Sequence, residues 1–246
     1  MSRKCGAIRR ELQMLALATF TSRSSVTAMS ALSHKIPVTP WRASSTWAFR
    51  PSMFLPLIGG LSIFGFGEGL LVQSNWGATP WTVFAQGITM HTHLSIGWAT
   101  LLISAAVLLL WFPLREKPGL GTIANLLVIA FALDLTAAHL PVATSFMMKT
   151  LYMVGAILVI GIGSSLYLTT GLGPGPRDGL MTSLHRKLGV SIVYVRISIE
   201  ATVLTIGWLL GGTVGIGTAA FAIGIGFSIG FWLGIMERVV NLIHHD

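Results

Sequence analysis

The sequence predicts an all-α fold, a polytopic transmembrane helical bundle of six spans arranged as two inverted three-span repeats, each with a short interfacial or re-entrant helix. Three observations predict it. Hydrophobic residues make up 53% of the 246 positions and charged ones 10%, and the mean hydropathy is +0.76, a composition outside the range of water-soluble domains. Six windows are long and apolar enough to cross a hydrocarbon core of about 30 Å, which takes about 20 residues of helix. Residues 65–134 align without a gap on residues 161–230, at an offset of 96. Their structural punctuation falls in register: Gly65 and Gly67 on Gly161 and Gly163, Gly77 and Pro80 on Gly173 and Pro176, Gly119, Gly121 and Thr122 on Gly215, Gly217 and Thr218.

Taken in order, residues 1–53 come first. Eight of the sixteen Lys and Arg lie in residues 1–50 against one acid, Glu11, so this segment supplies most of the net charge of +8. It has no uninterrupted apolar stretch of span length. It reads as a basic disordered tail or a mis-assigned start, with Met53 as the start candidate, and its composition also fits an organelle transit peptide. The charge gives no reason to expect nucleic acid as a partner. Cys5 is the single cysteine, which excludes an intrachain disulfide and any cysteine-cluster metal site.

The first repeat, 54–138, holds spans near 54–73, 94–113 and 118–138. An outer linker, 139–150, leads to the second repeat, 151–238, with spans near 151–170, 190–210 and 216–236, and residues 239–246 form a short cytoplasmic tail. Between the first and second spans of each unit lies a segment too short to cross, near 80–92 and 176–188. Each opens with a proline in what would be the first helical turn, and Thr82 or Asp178 is placed to cap the free backbone N–H groups there. Three spans is an odd number, so the second unit enters the membrane from the opposite side. With both termini cytoplasmic, the inner segments carry Arg115, Lys117, Arg177, Arg186, Lys187 and Arg238, and the outer ones only Lys149, as the retention of basic residues inside requires.

GLGPGPRDGLMTSL at 171–184 and VRISIEATVLTIGWLLGGTVGIGT at 195–218, with FGEGLLVQSNWGATPWTVFAQGI at 66–88 and GLGTIANLLVIAFALD at 119–134, resemble the YczE-like family of bacterial integral membrane proteins, of the YczE, YyaS and YitT type. The resemblance covers residues 54–238 or so and implies a multi-pass protein of the bacterial inner membrane. It implies no substrate, reaction or cofactor.

Charge at membrane depth costs roughly 3 kcal/mol per group on insertion scales, so Glu68, Asp134, Arg196 and Glu200 are the candidate substrate- or ion-binding residues. Arg196 and Glu200 are four apart on one helix face, the spacing of an ion pair; the sharper reading has Glu200, poised by Arg196, taking a cation or proton. Glu68 sits among Gly65, Gly67 and Gly69, which leave room for a carboxylate facing other helices or water. Asp134, close to the outer end, reads first as a solvated interfacial carboxylate. The segment with Gly173, Gly175, Arg177 and Asp178 is a candidate anion- or lipid-binding turn, because free N–H groups at a helix start attract anions; the plainer reading is a rigid turn capped by Asp178. Gly226, Gly230 and Gly234 put small residues on one face of the last span for close helix packing, against another span or a second subunit. His91 and His93, two apart, are poorly spaced for two ligands on one helix, so no metal is expected.

These features favour a small-solute or ion transporter or permeation protein, with a non-catalytic membrane accessory or assembly protein as the alternative. The expected partners are the lipid bilayer, a small solute or ion, and a homo-oligomer or a membrane partner subunit. An enzyme is not expected: no nucleophile paired with a base, metal cluster or nucleotide loop stands at usable spacing.

Overall fold

A computed structural model describes residues 36–48 and 50–243, and every described regular element is helical. The helices are α1 (Pro51–Gln73), α2 (Pro80–Thr89), α3 (Ile96–Leu109), its four-residue continuation α4 (Trp111–Leu114), α5 (Leu120–His139), α6 (Phe146–Thr169), α7 (Pro176–Leu188), α8 (Ile192–Leu209) and α9 (Ile216–Ile243). Six helical stretches are long and apolar enough to cross a membrane: α1, α3 with α4, α5, α6, α8 and α9. They coincide with the six windows read from the sequence. The short segments are helical too, as α2 and α7.

Lipid is as apolar as leucine, so the bundle is held by close packing rather than by escape from water. α1 and α6 form the central pair. Gly60 and Gly163 let them touch backbone to backbone: a Cβ on Gly163 would stand 2.6 Å from the carbonyl oxygen of Gly60 and the amide of Phe64. Gly65 and Gly69 press on Ile129 and Thr136 of α5, while Gly67 presses on Ile160 of α6. The glycines around Glu68 therefore serve the packing of α1 on two neighbours, and the carboxylate leaves between them. α9 leans on α6, where Ser228 fills the space left by Gly161 and donates to the Ile157 carbonyl at 2.9 Å.

The two short helices are fixed by hydrogen bonds that recur 96 residues apart. Gly121 N–H donates to Leu172 O at 2.8 Å, and Gly217 N–H to Trp76 O at 2.7 Å. Thr122 and Thr218 each accept from the glycine three residues earlier. Gly77 and Gly173 both adopt φ +114°, which side chains beyond glycine rarely tolerate. Each half thus delivers its last span to the loop that precedes the other half's short helix. α2 then packs on α8, and α7 on α3.

Part of the expected N-terminal tail is folded. Ala43 N–H donates to Thr170 O, Thr39 Oγ1 to Thr169 O, and the Trp41 indole to Thr169 Oγ1. Thr46 O accepts from Leu120 N–H. Residues 36–48 so supply backbone partners to the end of α6 and the start of α5, which a chain starting at Met53 would lack. Met53 itself is buried within α1. Residues 1–35, with Glu11 and Cys5, lie outside the described residues. At the other end α9 runs on to Ile243, into the segment expected as a tail.

Candidate functional site

The start of α2 and the start of α7 face one another across a cavity of about 230 Å³. Both helices begin with proline, which has no N–H to leave unsatisfied in the first turn, and the first-turn residues of both line the cavity. α2 is capped by Thr79, whose hydroxyl accepts from Thr82 N–H at 3.3 Å. α7 begins at Gly175 with no side-chain cap. The caps expected from Thr82 and Asp178 are therefore not made. Thr82 turns its hydroxyl to Glu68, and Asp178 accepts instead from the Tyr167 hydroxyl at 3.1 Å.

Glu68 is the centre of the site. It is 1% exposed. Thr79 Oγ1 donates to Oε1 at 3.3 Å and Thr82 Oγ1 donates to Oε2 at 3.1 Å. Arg177 Nη1 stands 3.5 Å from Oε1, with its guanidinium 5.2 Å over the ring of Trp81. One carboxylate is thus satisfied by two hydroxyls of α2 and a guanidinium of α7, and a buried charge is tolerable only with such company. Trp111 holds α7 in place, its indole donating to Pro176 O at 3.0 Å, and Thr122 Oγ1 donates to Pro174 O at 2.8 Å.

Arg196 Nε and Glu200 Oε1 pair at 2.8 Å, as their spacing predicts, and both line the same cavity as Glu68, Gly175, Arg177 and Asp178. The remaining candidates stand elsewhere. Gly173 shapes the turn before α7, against Thr122. Asp134 is no free surface carboxylate: its Oδ1 accepts from Gly97 N–H at 2.6 Å and its Oδ2 takes the hydroxyl of Ser95, so it caps α3 from α5. A helix N-terminus is a good seat for a carboxylate, and α3 offered one within reach. Gly226 and Gly230 have nothing within 4 Å of where a Cβ would lie, so they pack on no helix of this chain; Gly224 and Ser228 hold α9 to α6 instead. Arg186, one of the basic residues of the inner segments, pairs with Glu116.

Several cavity residues were not singled out from the sequence: Thr79, Trp81, Thr100, Ser104, Ser164 and Tyr167. The offset of 96 could have found most of them. Trp81 corresponds to Arg177, Thr100 to Arg196, Ser104 to Glu200 and Ser164 to Glu68, so each of these four charged residues has an uncharged counterpart that lines the same cavity.

Fold and site together define a helical membrane protein of six apolar spans with a mixed-charge cavity between two short helices. A family model described as "Family of unknown function (DUF6198)" matches residues 52–234, and the chain belongs to that family. An "Uncharacterized protein" of Haemophilus influenzae is 44% identical over 207 residues, covering 84% of this chain and 95% of the relative. The "Uncharacterized membrane protein YczE" of Bacillus subtilis is 32% identical over 74% of this chain and 86% of its own length. The "Uncharacterized protein YyaS" of the same organism is 25% identical over 73% and 91%. The YczE-like resemblance read from the motifs is therefore correct. No solved structure matches the chain.

Proposed function

We propose that this chain is a small-solute or ion transporter or permeation protein of the bacterial inner membrane, built from two inverted repeats with both termini cytoplasmic. Its solute site is the cavity between α2 and α7, re-entrant half-helices that approach from opposite faces. In inverted-repeat transporters the substrate site forms at the repeat interface, where broken helices turn their free N-terminal N–H groups inward. The observation that carries the reading is the buried Glu68 of one half meeting Arg177 of the other. An ion pair made across two halves constrains both, and a solute that competes for either partner couples binding to their separation. The chain is read as non-catalytic, with no cofactor.

The test is melting temperature in lipid nanodiscs across a panel of ions, metabolites and lipids, followed by liposome flux of each hit, with Glu200→Gln as the site variant. A ligand at 100 times its dissociation constant stabilises by about 2.7 kcal/mol, a measurable shift. We expect at least one solute that both stabilises and crosses, with the variant impaired. A panel silent for wild type and variant alike overturns the reading.

The accessory or assembly reading keeps one observation in its favour: Gly226 and Gly230 form a small-residue face on α9 that this chain does not fill. That reading predicts a stable membrane partner, or a second copy, retained through purification in mild detergent.

A further inference from the structure

Two helices that line the cavity do not pack on one another, and its charges are unequal. Consecutive in sequence, α8 and α9 are not packed against one another: α8 rests on α2 and α7, while α9 rests on α6. Only Val195 and Gly207 of α8 are buried. Yet both helices line the cavity, α8 with Arg196 and Glu200, α9 with Phe221 and Ile225. Where these two helices do not pack on one another, the α9 side chains that line the cavity are apolar.

Three acids and two guanidiniums line the cavity. Glu68 is held by Arg177, and Glu200 by Arg196. Asp178 is exposed and, among the described residues, has the Tyr167 hydroxyl and no cation as its partner. A second polar group is also unsatisfied. Thr100 is 2% exposed, lines the cavity, and its hydroxyl has no hydrogen-bond partner. Buried hydroxyls are rarely left so, because each unmade bond costs about 1–3 kcal/mol.

Resting on the reading of the cavity as a solute site, we infer that the solute is an organic ammonium with a short apolar body. Its cationic group pairs with Asp178, its body lies toward the apolar α9 side chains, and Thr100 contributes a hydrogen bond directly or through a water. The volume admits a ligand on the order of ten non-hydrogen atoms. A permanent anion is disfavoured by the unpaired carboxylate.

The experiment is calorimetric titration of the full chain in zwitterionic nanodiscs with hexylammonium, methylammonium and hexyl sulfonate, repeated on Asp178→Asn and Thr100→Val. Asn keeps an acceptor for Tyr167, and Thr100→Val removes a hydroxyl without a protein partner, so both variants are expected to fold. We expect hexylammonium to bind tightest, about tenfold weaker in Asp178→Asn, and weakened about threefold in Thr100→Val. Equal binding to wild type and both variants would be adsorption to lipid and would overturn the inference. So would methylammonium binding as tightly as the hexyl compound, which removes the role of the apolar body. Hexyl sulfonate binding in place of the cations overturns the charge class while leaving the cavity a solute site. Silence from all three probes overturns this inference alone if the wider panel still yields a solute that crosses, and both readings if it does not.

Discussion

The flank formed by α3 and α5 and the flank formed by α8 and α9 occupy corresponding places in the two halves of the chain, yet the first is closed and the second open. On the closed flank Asp134 takes the Gly97 amide and the Ser95 hydroxyl, and a Cβ on Gly97 would collide with α5 at Ala130 and Asp134. On the open flank the residue 96 positions after Asp134 is Gly230, and the residue after Gly97 is Val193. Ser191 still matches Ser95, but it caps nothing. The carboxylate that ties one pair of helices is missing from the other, and a β-branched side chain stands where the backbones would have met. Two positions of the shared pattern thus differ where one pair of helices packs and the other does not. The same asymmetry concentrates the charged pair, Arg196 and Glu200, on the open flank opposite Thr100 and Ser104.

The comparison can be broken at its common foundation first. Gly163→Val puts a branched side chain into the α1–α6 crossing, on which both flanks depend, and should cost about 3 kcal/mol or more because a backbone, not a flexible side chain, is in the way. Denaturant unfolding in mixed micelles measures it; a loss under about 1 kcal/mol would mean that the central pair is looser than described. Asp134→Gly gives the closed flank the residue of the open one. It should cost about 1.5–3 kcal/mol, the scale of hydrogen bonds to a charged group, and spin labels at positions 102 and 131 should move apart. If the distance holds, packing at Gly97 rather than the carboxylate closes that flank. The smallest effect belongs to Gly226→Ala, expected within about 0.5 kcal/mol because the methyl meets nothing in this chain. A larger loss, with a change in particle mass, would place a second subunit on that face.

Much of the fold was legible because the membrane imposes a simple rule on sequence. Backbone groups in lipid must bond within their own helix, so each span announces itself as a long apolar run, and the windows met the helices within a few residues at most ends. The folded segment 36–48 was missed for the converse reason. Its contribution is a few hydrogen bonds, the Ala43 amide and Thr46 carbonyl with the Thr39 and Trp41 side chains, which leave no mark in composition. The glycine face of α9 was read for packing on another span or a second subunit: Gly226 and Gly230 meet nothing in this chain, and contact with α6 falls on Gly224 and Ser228. Periodicity names a face without naming its neighbour.

By itself the sequence determined the six apolar helices, the two short helices headed by proline, and the set of charges requiring explanation at membrane depth. Tertiary structure alone decided which charges share a site. Glu68 and Arg177 lie 109 positions apart and meet because the loops before α2 and α7 each bind the other half's last span. Asp134, equally charged and equally deep in the sequence, was drawn instead to the end of α3. Hydropathy measures what it costs to leave water one residue at a time, whereas pairing depends on distances that exist only once the helices have packed.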